Sequence, residues 1–203
     1  MLSPRCQAGF TLIELMVALT VMALLLLLGA PSFSTWLQNS QIRTASEAMA
    51  NGLQVARAEA VRRNAPVRFQ LTDKLDNSCV LSSAGRNWIV SLDDVTGACG
   101  LAPSADLAAP TPPRIVQKRA AGDGTPNAEV AAADAAGTAI SAITFNGLGR
   151  ASTAANINIT NTHGGDCAAS NGPMRCMRVA VSAGGQIRLC DPKFSSSDPL
   201  GCP

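Results

Sequence analysis

A chain of 203 residues fits one modest globular domain plus an appendage. Charged residues are only 15% of it, against 47% hydrophobic, and the formal net charge of +2 excludes bulk attraction to nucleic acid or acidic lipid. Aromatics are 3%, so any core outside the most apolar segment must be built from Val, Ile, Leu and Ala.

The first nine residues, Met1 to Gly9, are short and polar, with one cation at Arg5. A secretory signal places its cleavage site after the apolar stretch. Here the candidate cut, between Gly9 and Phe10, comes before it, so cleavage removes a leader and leaves the anchor in place. From Phe10 to Ala30 the chain is nearly all apolar. As a helix those 21 residues reach ~32 Å, enough for a bilayer core of about 30 Å. Glu14 interrupts the run. A carboxylate inside a span costs about 2.5–3.5 kcal/mol and usually marks a function. A helix N-terminus returns only ~0.3–1 kcal/mol. The new amine of Phe10 on a neighbouring subunit is a partner that can offset the remainder.

The segment Gly9-Phe10-Thr11-Leu12-Ile13-Glu14-Leu15 resembles the class III signal of type IV pilins and type II secretion pseudopilins. The resemblance implies that a prepilin peptidase cuts after Gly9 and methylates Phe10. It also implies that Pro31 stands where pilins carry a helix-loosening proline. Beyond Pro31, Ala45, Met49, Leu53, Ala56 and Ala60 recur at steps of three or four and form one apolar stripe. Glu47, Gln54, Arg57 and Arg62 lie off it, and Asn64 with Pro66 ends the helix. The stretch Leu53 to Asn64 is similar to the H-type pseudopilin and T-type fimbrial minor pilin group (GspH/FimT), with Ala58 where that group carries a Ser. On spacing alone, Arg57 and Glu59 read as a solvated helix face.

Val67, Phe69 and Leu71 alternate with Arg68 and Gln70 as in a half-buried strand. Similar runs are Trp88–Leu92, Arg114–Lys118, Ile140–Phe145, Asn156–Thr160, Met177–Ser182 and Gln186–Cys190, with Gly184-Gly185 as a hairpin turn between the last two. The order Trp88-Ile89-Val90, Arg114, then Ile143 to Arg150 also resembles the group. Leu101 to Thr138 is rich in Ala, Pro, Gly and Asp and reads as a long surface excursion; Pro110, Pro112 and Pro113 argue against a central strand there. The expected fold is therefore α+β, of pilin type. It has a leader at 1–9, a transmembrane helix at 10–30, an amphipathic helix at 31–64 and an antiparallel β head at 66–203.

Seven cysteines divide into Cys6, ahead of the apolar segment, and six beyond it: Cys79, Cys99, Cys167, Cys176, Cys190 and Cys202. No CxxC occurs, which argues against a zinc ribbon or a thioredoxin-like site. An even set beyond a membrane segment reads as disulfides in an oxidising space. The simplest of the possible pairings joins nearest neighbours, Cys79 with Cys99, Cys167 with Cys176 and Cys190 with Cys202; six free buried thiols are the alternative.

Candidate chemistry is sparse. The single histidine, His163, has no second His with which to build a metal site or a nucleophile relay, and Asp166 beside it makes at most a weak cation contact. Asp93 and Asp94 are adjacent and in a strand would face opposite ways, so they form no carboxylate pair. These observations point away from an enzyme, with no cofactor, no metal and no small-molecule substrate. A mild cationic excess lies near the C-terminus, at Arg175, Arg178, Arg188 and Lys193. The T-type pilins carry a Gly-Arg-x-Arg motif there as a proposed DNA contact. Gly185 and Arg188 match it, but Gln186 replaces an Arg, which removes roughly one phosphate contact and ~0.9 of salt slope. DNA through Arg178, Arg188 and Lys193 is therefore a candidate partner, weighed against solvated charges on an edge hairpin.

The expected function is that of a structural minor pilin of a type IV pilus, a priming or tip subunit. The alternatives are the minor pseudopilin H of a type II secretion system and a pilus-tip DNA receptor. The expected partners are other minor and major pilins or pseudopilins, prepilin peptidase and the membrane. The expected place is the bacterial inner membrane, crossed once, with a periplasmic head, and then the fibre.

Overall fold

The computed structural model describes residues 10–104, 107–108, 111–121 and 123–203, without the side chains of 28–31. Residues 1–9, with Cys6 and the expected cut site at Gly9, lie outside the described residues, as do Pro110 and the side chain of Pro31. The chain divides into two compact units, one ending at Leu37 and one running from Gln38 to Pro203.

One helix, α1 (Leu12–Arg63), contributes to both units. Thr11 caps its start: the Thr11 Oγ1 accepts from the Glu14 backbone N–H at 3.3 Å, and the Thr11 carbonyl accepts from the Leu15 N–H at 3.1 Å. Thr11-x-x-Glu14 is the sequence pattern of a capping box. The first unit exposes its apolar side chains, from Leu12 through Leu27. This is the one helix among the described residues long and apolar enough to cross a membrane, with a mean hydropathy of 2.6 over its most apolar window.

In the second unit the stripe of α1 is buried at Ala45, Met49, Leu53, Ala56 and Ala60, and Ile42 extends it. The stripe joins both sheets of this unit in one core. The helix stops where the sequence indicated. Asn64 takes the left-handed conformation (φ 48°), its N–H donates to the Val61 carbonyl, and the Ala65 N–H donates to the Ala60 carbonyl. These two bonds make a Schellman closure with Asn in place of the usual Gly, and Pro66 prevents continuation.

Eight strands follow: β1 (Val67–Thr72), β2 (Asn87–Ser91), β3 (Ile115–Arg119), β4 (Glu129–Asp134), β5 (Ala142–Phe145), β6 (Ala155–Thr160), β7 (Met177–Val181) and β8 (Ile187–Cys190). They form two antiparallel sheets, ordered β3-β2-β1-β5 and β4-β6-β7-β8. Phe69 is paired with Val90 on one side and Ile143 on the other, so the first sheet centres on β1. Gly52 lets α1 approach that sheet, since a Cβ there would lie 2.8 Å from Phe69 and 3.1 Å from Trp88.

Strand β4 corrects the expectation of a surface excursion over Leu101–Thr138. Glu129–Asp134 pairs along its whole length with β6, burying Val130 and Ala132 and leaving Glu129 and Ala131 exposed. Its alanines carry little strand propensity of their own, so the pairing partner decides its conformation. Asp93 and Asp94 fall after β2 rather than within a strand. Three disulfides join Cys79 to Cys99, Cys167 to Cys176 and Cys190 to Cys202, with Cα separations of 6.1, 5.4 and 5.0 Å. These spans fall within the usual 4.4–6.8 Å for a bridge.

Candidate functional site

Three places carry the residues of interest. At the start of α1, Phe10 and Glu14 are both exposed. The Thr11 cap puts Glu14 in the first helical turn, where the N-terminal amides favour an anion by about 0.3–1 kcal/mol. What the carboxylate can do chemically is attract a cation along an otherwise apolar surface.

The second place is the C-terminal hairpin. Val179 and Val181 of β7 belong to the core, so Arg178 and Ala180 take the outer face. The register sets Arg178 opposite Cys190 and Ala180 opposite Arg188. The structure therefore brings Arg178 and Arg188 onto one face, but both are engaged there. Arg188 Nη2 donates to the carbonyls of Pro199 (2.8 Å) and Gly201 (3.1 Å). Arg178 Nε donates to Asn158 Oδ1 at 2.7 Å. Arg188 thus holds the tail down, together with the Cys190–Cys202 bridge and the pairing of Asp191 with Gly201. The expectation of a freely solvent-facing Arg188 is corrected accordingly: it is half-buried. Lys193 is exposed, and Arg175 stands 3.6 Å from the Asp191 carboxylate.

The third place was not singled out by sequence reasoning. Gly149 and Gly185 meet where the β5–β6 loop passes the β7–β8 turn. A Cβ on Gly185 would overlap the Gly149 carbonyl oxygen, and that same oxygen accepts from Arg57 Nε of α1 at 3.2 Å. Arg57 is therefore not merely solvated, as its spacing suggested. Glu59 binds Arg62 and Arg63 at 2.7 Å each, and Arg62 foremost holds its carboxyl below the usual carboxylate range. Asp93 and Arg114 form the other notable pair, with two side-chain bonds (2.8 and 2.7 Å) and a third from the Arg114 N–H. The Arg114 guanidinium is the main reason that the Asp93 carboxyl is depressed. Asp94 has its own partners, Thr96 and, at 3.8 Å, Arg68. His163 and Asp166 are exposed, and no group of metal-ligating side chains occurs among the described residues.

An exposed apolar helix opening on a capped Glu, followed by a disulfide-linked head of two antiparallel sheets around the helix's second half, defines a pilin-type subunit. Residues 45–185 match the type II transport protein GspH family, and residues 4–30 match the prokaryotic N-terminal methylation motif. The chain belongs to the GspH family, which places it among the minor pilins and pseudopilins. Two crystal structures of the type IV minor pilin FimU of Pseudomonas aeruginosa are also similar. One is 20% identical, covering 82% of this chain and 98% of that one at a TM-score of 0.46; the other is 19% identical, covering 79% and 98% at 0.44. No curated protein sequence matches the chain.

Proposed function

We propose that this chain is a structural minor pilin that primes or tips a type IV pilus. It is cut after Gly9 by prepilin peptidase, methylated on Phe10 and held as a single-pass protein of the bacterial inner membrane with its head in the periplasm. On this reading residues 10–30 span the bilayer, 31–64 continue as the amphipathic half of the helix and 66–203 form the head. It is not an enzyme.

The observation that carries the reading is Glu14, the one carboxylate of the apolar stretch 10–30, exposed in the first turn of the helix and inside the methylation-motif match. Left in hydrocarbon it costs about 2.5–3.5 kcal/mol, and the helix dipole does not offset that. The Phe10 amine of an adjacent subunit does, and it exists only after processing. A second reading, the minor pseudopilin of a type II secretion system, is favoured by the description of the matching family as a type II transport protein. Both readings use the same helix and the same charge pair. Contact with DNA through the hairpin is the weaker reading, because Arg178 and Arg188 already serve protein acceptors and only Lys193 of the three is exposed.

The test is Glu14→Val in cells carrying the fibre machinery. The variant is expected in the membrane at normal level and absent from sheared fibres. Normal incorporation of this variant would overturn the pairing role.

A further inference from the structure

Among the described residues of the unit Gln38–Pro203, Leu148 is the most exposed large apolar side chain, at 79%. It does not sit on a loose loop. The Asn146 Oδ1 accepts from the backbone N–H groups of both Leu148 and Arg150 at 3.0 Å. The backbone closes the same loop, Asn146 N–H to the Arg150 carbonyl at 3.0 Å and Gly149 N–H to the Asn146 carbonyl at 2.8 Å. Arg57 then ties Gly149 to α1. Val61, itself 52% exposed, borders the loop, since a Cβ on Gly149 would lie 3.0 Å from its Cγ2.

A tightly fixed loop whose apex is a solvated leucine has no evident benefit to the fold that displays it. It has the form of a binding anchor, an apolar side chain whose ordering cost is met before the partner arrives. The charges around it are of one sign. Arg57 and Arg150 are exposed and form no ion pair among the described residues. The one acid at this end of the helix, Glu59, is already bound to Arg62 and Arg63.

We infer that Leu148 and Val61, rimmed by Arg57 and Arg150, are the docking surface for a different fibre subunit, one that offers an apolar pocket with acidic side chains around it. A two-fold contact with a second copy would set the same arginines against each other, and a head-to-tail contact would need an acidic face that a chain of net charge +2 has no excess to supply, so the contact assigned is with an unlike subunit. DNA is disfavoured, because the centre of the surface is aliphatic and lacks an aromatic on which bases stack. The inference rests on the reading of the chain as a fibre subunit and names where its neighbour binds.

The experiment places a photo-crosslinking amino acid at position 148 of the full-length chain, in cells that assemble the fibre, with position 200, a leucine 60% exposed, as the control. The expected result is one adduct, with a different pilin-type subunit, mapped beside Asp or Glu, and none at position 200. Arg150→Glu, which alters an exposed side chain, is expected to reduce that adduct about tenfold or more. Leu148→Ser is expected to leave the melting of the head unchanged while reducing incorporation into fibres. An adduct with DNA, lipid or another copy of the chain overturns the inference, and so does an adduct indifferent to Arg150→Glu. If the chain enters fibres and no adduct forms, this surface fails and the functional reading stands. If the wild-type chain never enters fibres, both fail.

Discussion

Gly184 and Gly185 are neighbours in one hairpin turn, yet their replacement by alanine should have opposite consequences. Gly185 has φ 80° and sits against the Gly149 carbonyl, which Arg57 also binds. An alanine there meets two costs. The left-handed backbone disfavours an L side chain by about 1–2 kcal/mol. The overlap with a backbone oxygen must be relieved by separating the two loops, an overpacking cost of about 1–3 kcal/mol. The sum is about 2–5 kcal/mol, which for a unit of this size lowers Tm by roughly 4–20 °C. At Gly184 the nearest atom to a new Cβ is Ser182 Oγ at 3.7 Å, an ordinary contact. Gly184→Ala should therefore be neutral, or stabilising by up to about 1 kcal/mol through the unfolded chain. Thermal unfolding followed by near-ultraviolet circular dichroism, on a soluble fragment beginning at Gln38, checks both. Equal shifts for the two variants, or a Gly185→Ala that melts with wild type, would refute the Gly149–Gly185 crossing.

Asp93 is held below the ordinary carboxylate range by Arg114. A carboxyl depressed in the fold adds stability above its unfolded value of about 4, and that stability is lost as pH falls through the lower folded value. Asp93→Asn should thus destabilise the head at neutral pH and flatten its loss of stability below about pH 4, as measured by urea midpoints across pH. Denatured without reductant, the same fragment should titrate no free thiol. Removing the longest bridge, Cys79–Cys99, should cost about 3 kcal/mol. Arg188→Ala should speed hydrogen exchange at Asp191 and Gly201, whose amides are bonded within the tail. Weak binding of duplex DNA at low salt, if present, should be unchanged by it.

The helical half of the fold was open to reading because its signals are local. Ala45 through Ala60 recur at the helical period, Asn64-Ala65-Pro66 spells a stop, and Gly184-Gly185 spells a turn. Strand β4 was hidden because Ala131, Ala132 and Ala133 resemble a small-residue loop in isolation and become a strand only beside β6. The division into two sheets was hidden for a related reason: alternation shows that a strand has an inner face and not which sheet it joins. At the hairpin, sequence could count the cations near the C-terminus. It could not show that Arg188 reaches carbonyls 11 and 13 residues further along. Arg57, Gly149 and Gly185 each lie in a stretch resembling the family, but their convergence on one carbonyl oxygen exists only in three dimensions.

The most direct measurement is the intact N-terminal mass of this chain recovered from sheared, washed fibres. A fibre subunit of the kind described begins at Phe10, carries one methyl group on its amine and lacks Met1 to Gly9. It also co-purifies with the fibre at a level that Glu14→Val abolishes. Recovery only from the membrane, with the leader still attached in a host whose prepilin peptidase is active, would contradict that reading.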